Sequence, residues 1–268
     1  MASARVVSLI VINAFLSVFG TCMTFLVIMA IIKNAELQRG LNLLIVSLTA
    51  ADLTNCLIAQ PMYVYYLSNE VSSTYLVAFE VIAFIGLHAV FTSLTAITYH
   101  RMKALSRPFH HLLLVSRKDL VVVIVLTWIV SIVIGVVFAT EPGKRVGAYF
   151  HAVMILSLVF TYIRILWVSW SRRRRKIAEQ VGTANYHQQA ATIEHENAAA
   201  ITSAILVGTT LLSFLPDVVL DLMGEGEVNR RLWTYTLLFS CSALNPCIVI
   251  WRNQRFRRAV LDTFRLRN

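Results

Sequence analysis

Residues 120–138 read LVVVIVLTWIVSIVIGVVF, nineteen consecutive positions without a charge or a proline. A helix rises 1.5 Å per residue, so about 20 such residues cross a hydrocarbon layer about 30 Å thick. Six more apolar runs of comparable length flank this one. Together they give candidate spans at 6–32, 41–67, 74–100, 119–140, 146–170, 197–223 and 232–251. The chain is 57% hydrophobic and 14% charged, which fits a soluble helical protein poorly. The expected fold is an all-α membrane protein, a seven-transmembrane-helix bundle forming one domain over 1–268.

Charge placement orients the bundle. Of 24 Lys and Arg, 18 fall in the first, third and fifth loops or the C-terminal tail. Only Arg5, Lys144, Arg145, Arg230 and Arg231 lie in the alternate segments, and Arg164 lies inside the fifth run. Short Lys/Arg-rich loops stay cytoplasmic, which puts the N-terminus outside and the C-terminus inside. The net charge of +10 is then a topology signal and a match to anionic membrane lipid, and nucleic acid is not an expected partner. The run Arg172-Arg173-Arg174-Arg175-Lys176 directly follows a span, where it reads as a stop signal and lipid or partner contact. Over 253–266, Phe256, Val260 and Phe264 recur every four residues among four arginines, the pattern of a short amphipathic surface helix. Cys22, Cys56, Cys241 and Cys247 all sit in apolar runs and read as buried thiols, with no disulfide expected.

Polar residues inside the spans carry most of the functional signal. Asp52 falls near the middle of the second run, where an ionisable group must face the bundle and find partners. Pro216 and Asn245-Pro246 free backbone carbonyls deep in the sixth and seventh runs and bend them. A purely structural role for Asp52, as a hydrogen-bond hub, stays open. In the half facing outward, Phe214, Asp217 and Asp221 share one helix face at offsets of three and four. Glu80 lies in the outer part of the third run with His88 deeper in it, His151 lies in the outer half of the fifth, and Gln60, Tyr63 and Tyr66 crowd the outer end of the second. Glu80, Asp217 and Asp221 around one cavity favour a cationic amine or peptide group, although Glu80 and Asp221 equally suit a wet rim. No nucleophile–base pair or metal-ligand spacing points to an enzyme, and no cofactor is expected.

The ordered motifs resemble the rhodopsin-like (class A) G-protein-coupled receptors over nearly the whole chain. Leu48-Thr49-Ala50-Ala51-Asp52-Leu53 is similar to the acidic motif of helix two, and Arg101 with Pro108 to the cytoplasmic end of helix three. Trp128 matches helix four, Phe214-Leu215-Pro216 the bend of helix six, and Asn245-Pro246-Cys247-Ile248-Val249 with Phe256-Arg257 helix seven and its tail. The departures are Thr21, His100, Met102, Phe214 and Val249, where the family usually has Asn, Asp or Glu, Tyr, Trp and Tyr. The cysteine-free second outer loop loosely resembles the melanocortin-like branch.

The resemblance implies a plasma-membrane receptor coupling an extracellular ligand to a heterotrimeric G protein. It implies a latch between Arg101 and Glu196, with Tyr162 as a later partner. Because His100 replaces the adjacent acid, the resting state should be loosely held and basal signalling elevated. His100 titrating near neutral pH is an alternative to its being a tolerated neutral substitution. A weak sodium site at Asp52, Ser242 and Asn245 is implied as a candidate, though Val90, Cys241 and Phe214 replace usual participants. Ala83 stands where aminergic relatives carry their aspartate, and residues 232–251 contain no lysine for a retinal Schiff base, with Phe239 at that place. The other open class is a receptor-like protein that has lost G-protein coupling and acts as scaffold, decoy or partner subunit.

Overall fold

The computed structural model describes residues 4–38, 40, 42–106, 116–178, 186–223 and 228–265, with backbone alone for 172–178, 186–200 and a few other helical positions. Among the described residues, seven long helices and one short one follow in order: α1 (Ala4–Lys33), α2 (Asn42–Ser68), α3 (Ser73–Ser106), α4 (Arg117–Phe138), α5 (Glu141–Ala178), α6 (Tyr186–Leu222), α7 (Val228–Arg252) and α8 (Gln254–Arg265). Six are long and apolar enough to cross a membrane, and α5 adds the shorter apolar stretch Tyr149–Arg164. The chain is a multi-pass membrane protein with a seven-helix bundle.

The helices are apolar on the outside as well as the inside, as a lipid solvent requires. In α4 only 17% of the apolar window is buried, and Val122, Ile129 and Val133 face outward. The corresponding share is 56% in α2 and 61% in α7, which places these two in the interior. One buried apolar cluster joins Val27, Leu48, Leu94, Val249 and Phe256; a second joins Tyr63, Phe79, Leu158, Phe214 and Phe239. Cys22 corrects the sequence reading: it is exposed on α1, whereas Cys56 and Cys241 are buried. Lipid and core are equally apolar, so an apolar run cannot tell which face a thiol takes.

Local chemistry sets the breaks. Gln38 donates to the carbonyls of Ile31 and Ile32 at 2.9 and 3.0 Å, capping the end of α1. Gly40 then takes φ +59°, open to glycine at little cost. In α2, Asn55–Ala59 forms a π-helical turn just ahead of Pro61, in which Gln60 N–H donates to the Asn55 carbonyl. Pro61 lacks an N–H and its ring crowds the carbonyl one turn back, and the widened turn absorbs both effects. Ser116 and Asp119 form a reciprocal capping box that starts α4. In α8, Phe256, Ala259 and Val260 are buried while Arg255, Arg257 and Arg258 are exposed, so the helix packs its apolar face against α1.

Candidate functional site

At mid-depth, Asp52 on α2 is 2% exposed and its Oδ1 accepts from Asn245 Nδ2 of α7 at 2.9 Å. Ser242, one turn before Asn245, accepts from Asn55 Nδ2 at 2.9 Å. Asn55 lies one turn beyond Asp52 and so shares its face of α2. On the same face of α7, Cys241 contacts Asn245 Oδ1 at 3.8 Å and Thr210 Oγ1 of α6 at 3.2 Å. A buried polar chain thus runs from α6 through α7 to α2, linking the helices that carry Pro216 and Pro246. The Asn245 N–H helps to satisfy the buried acid.

Asp52, Ser242 and Asn245 do come together, but they do not fit a sodium ion. Hard cations take about six or more oxygen ligands. Here Asn245 turns an N–H, not an oxygen, toward the acid, and Val90 and Cys241 fill neighbouring buried positions without an oxygen. No step is assigned to a bound cation.

Nearer the N-terminal end of α1 a second polar group closes the bundle. Asn13 donates to Thr236 Oγ1 at 2.8 Å and accepts from Gln60 Nε2 at 3.2 Å, which joins α1, α2 and α7. Tyr63 donates to the Leu232 carbonyl at 2.6 Å and packs its ring between Phe79, Tyr66, Tyr235 and Phe239. Phe239 is fully buried in this aromatic cluster.

The sequence-proposed ligand residues divide into two groups. Asp217 on α6 accepts from Thr234 of α7 at 2.9 Å, so this acid faces α7; Asp221 is half-buried one turn further along. Phe214 is buried and meets Phe91 of α3 edge-on, with centroids 5.8 Å apart. Glu80 is half-buried beside the buried Phe79. The second group lies between α3 and α5. His88 and His151 approach to 3.0 Å between their Nε2 atoms, lined by Phe84, Phe138 and Phe150.

At the opposite end, Arg101 is 9% exposed and His100 lies edge-on to Tyr99. Tyr162 is half-buried against the second apolar cluster. Glu196 belongs to α6, but its side chain is outside the described residues, as are His110, His111 and Pro108. Sequence inspection missed Asn55, Thr210, Asn13 and Thr236. For Asn55 the signal was available, since it falls one turn from Asp52. The other three are polar residues whose partners lie on distant helices, and no local spacing marks them.

Comparison with known proteins gives a consistent picture. Residues 24–149 match the family model described as 7 transmembrane receptor (rhodopsin family). The chain is similar to a violet-sensitive opsin of Xenopus laevis, 23% identical over 273 residues covering 91% of this chain and 78% of the opsin. It is also similar to a dopamine D2-like receptor of Drosophila melanogaster, 28% identical over 187 residues covering 61% of this chain and 20% of that receptor.

Proposed function

We propose that this chain, which belongs to the rhodopsin-like family of seven-transmembrane G-protein-coupled receptors and is not an enzyme, binds an extracellular ligand in its outer half and signals from the plasma membrane by repacking α6 and α7. The observation that supports this best is the buried chain Thr210–Cys241–Asn245–Asp52, which ties two proline-bearing helices to α2. Such a chain has a small number of hydrogen-bonded arrangements, so it favours discrete states over continuous deformation.

The ligand side would be formed by Glu80, His88, Phe214, Asp217, Asp221 and His151, with the acids favouring a cationic amine or peptide group. Similarity to an opsin brings no photopigment chemistry, because residues 232–251 offer no lysine. On the cytoplasmic side, Arg101 would be held by Glu196 at rest and released toward Tyr162 and the G protein. With His100 in place of an acid, one carboxylate latches the arginine instead of two. An ion pair at a helix end contributes about 0–1 kcal/mol when exposed, so losing one acid raises the active fraction by up to about fivefold.

Ligand-free G-protein activation in cells, at matched surface expression, tests this directly. Activity above mock-transfected cells that disappears in Arg101→Glu is the expected result. Silence of both chains at full surface expression overturns the elevated basal activity. If a ligand then binds without any signalling, the decoupled receptor-like alternative, motivated by the departures at His100, Met102 and Val249, replaces the coupled one.

A further inference from the structure

His88 and His151 stand 63 positions apart on α3 and α5, and their contact fixes where protons sit. His88 Nδ1 lies 2.6 Å from the Phe84 carbonyl. A carbonyl only accepts, so this nitrogen carries the proton, and the neutral His88 ring presents a bare Nε2 lone pair to α5. His151 then answers with Nε2–H. Its Nδ1 is left as a buried acceptor without a hydrogen-bond partner among the described residues.

The ring centroids are 5.0 Å apart, the planes differ by 24°, and the Nε2 atoms are 3.0 Å apart. The two nitrogens therefore lead, and the rings meet edge to edge. We propose that this pair is a binding site for a divalent transition-metal ion of the zinc class, clamping α3 to α5. Tetrahedral zinc with Zn–N of about 2.0–2.1 Å holds two nitrogens about 3.3 Å apart. The pair needs to open by only about 0.3 Å to admit it.

The surroundings of His88 match that use. A metal-bound imidazole is commonly oriented by donating its other N–H to a carbonyl, which is what the Phe84 carbonyl accepts from His88. On metal binding, the His151 proton moves from Nε2 to Nδ1. Both rings stay neutral, each gives one lone pair, and no proton is released. Imidazole selects zinc, copper or nickel, whereas magnesium and calcium prefer oxygen donors. No group of three or more His, Cys, Asp or Glu suited to a metal occurs among the described residues, so two coordination positions fall to water or chloride. With two protein ligands between phenylalanine rings, binding is weaker than in a closed four-ligand site. The clamp does not depend on the identity of any receptor ligand. It favours whichever conformation keeps α3 and α5 at this separation.

The test uses the full chain in phosphatidylcholine nanodiscs, titrated with Zn2+ by calorimetry and with Co2+ by visible absorption. One ion per chain, tetrahedral Co2+ bands and no response to Mg2+ are expected. His88→Gln and His151→Gln should each weaken Zn2+ binding at least about tenfold. Absence of binding at millimolar Zn2+, or unchanged binding in the double variant, overturns the proposal. Should the variants fail to fold, copper–ascorbate oxidation of the native chain followed by peptide mass spectrometry decides the matter. Oxidation at His88 or His151 supports the site, and oxidation confined to the other five of the seven histidines sinks it.

Discussion

Gly86→Ala should destabilise the bundle although it removes a glycine from a helix. A Cβ built at Gly86 overlaps Asn55 Oδ1 and lies 2.8 Å from Asn55 Cγ. Asn55 is fully buried in the π-helical turn of α2, and its Nδ2 is engaged with Ser242 at 2.9 Å. The amide cannot swing away without breaking that bond. Better helix propensity of alanine returns about 1 kcal/mol. Overpacking a well-filled interior costs about 1–3 kcal/mol, and losing the Asn55–Ser242 bond about 0.5–1.5 kcal/mol more. The net is a loss of about 1–3 kcal/mol, or a fall in Tm of about 2–10 °C for a chain of this size. Thermal melting of the purified protein, followed by accessibility of buried thiols, measures this. Gly208→Ala is the control: a Cβ there meets nothing within 4 Å, so Tm should hold or rise. The double variant Asn55→Ala, Gly86→Ala should recover part of the loss, because the overlapping amide is gone. A Gly86→Ala protein melting at or above the native chain would refute the close α2–α3 approach through Asn55.

Asn245→Ala removes an N–H from the buried Asp52 carboxylate, and a loss of about 1–3 kcal/mol is expected in the same melting assay. If Tm is unchanged, Asp52 does not depend on this partner. Tyr63→Phe keeps the ring stack but deletes the hydroxyl bond to the Leu232 carbonyl, so a smaller loss of about 1 kcal/mol is expected, readable by melting. A fall as large as that of Tyr63→Ala would instead assign the whole stabilisation to the hydroxyl and none to the ring.

The helices were legible because bilayer thickness is a length constraint. Any uncharged run such as 120–138 satisfies it without reference to the rest of the chain. Asp52, Pro216 and Asn245-Pro246 were equally visible, since a buried acid and helix-interior prolines are anomalies against an apolar background. Their motif order carried the resemblance to rhodopsin-like receptors. What those residues touch was not visible. Sequence reading placed His88 and His151 in one half of the bundle but could not bring them to 3.0 Å, because helix rotation is set by packing against neighbours. The same holds for Asn13, Gln60 and Thr236, three ordinary polar residues until three helices meet. Cys22 shows the limit from the other side, since its run is apolar whether the thiol meets lipid or core. Sequence by itself determined that seven helices cross a membrane, because span length and hydropathy are local properties. Only the tertiary structure decided which face of each helix is interior, because lipid and protein core are nearly equal solvents for an apolar side chain. The choice falls to packing and to the few polar groups that must be satisfied.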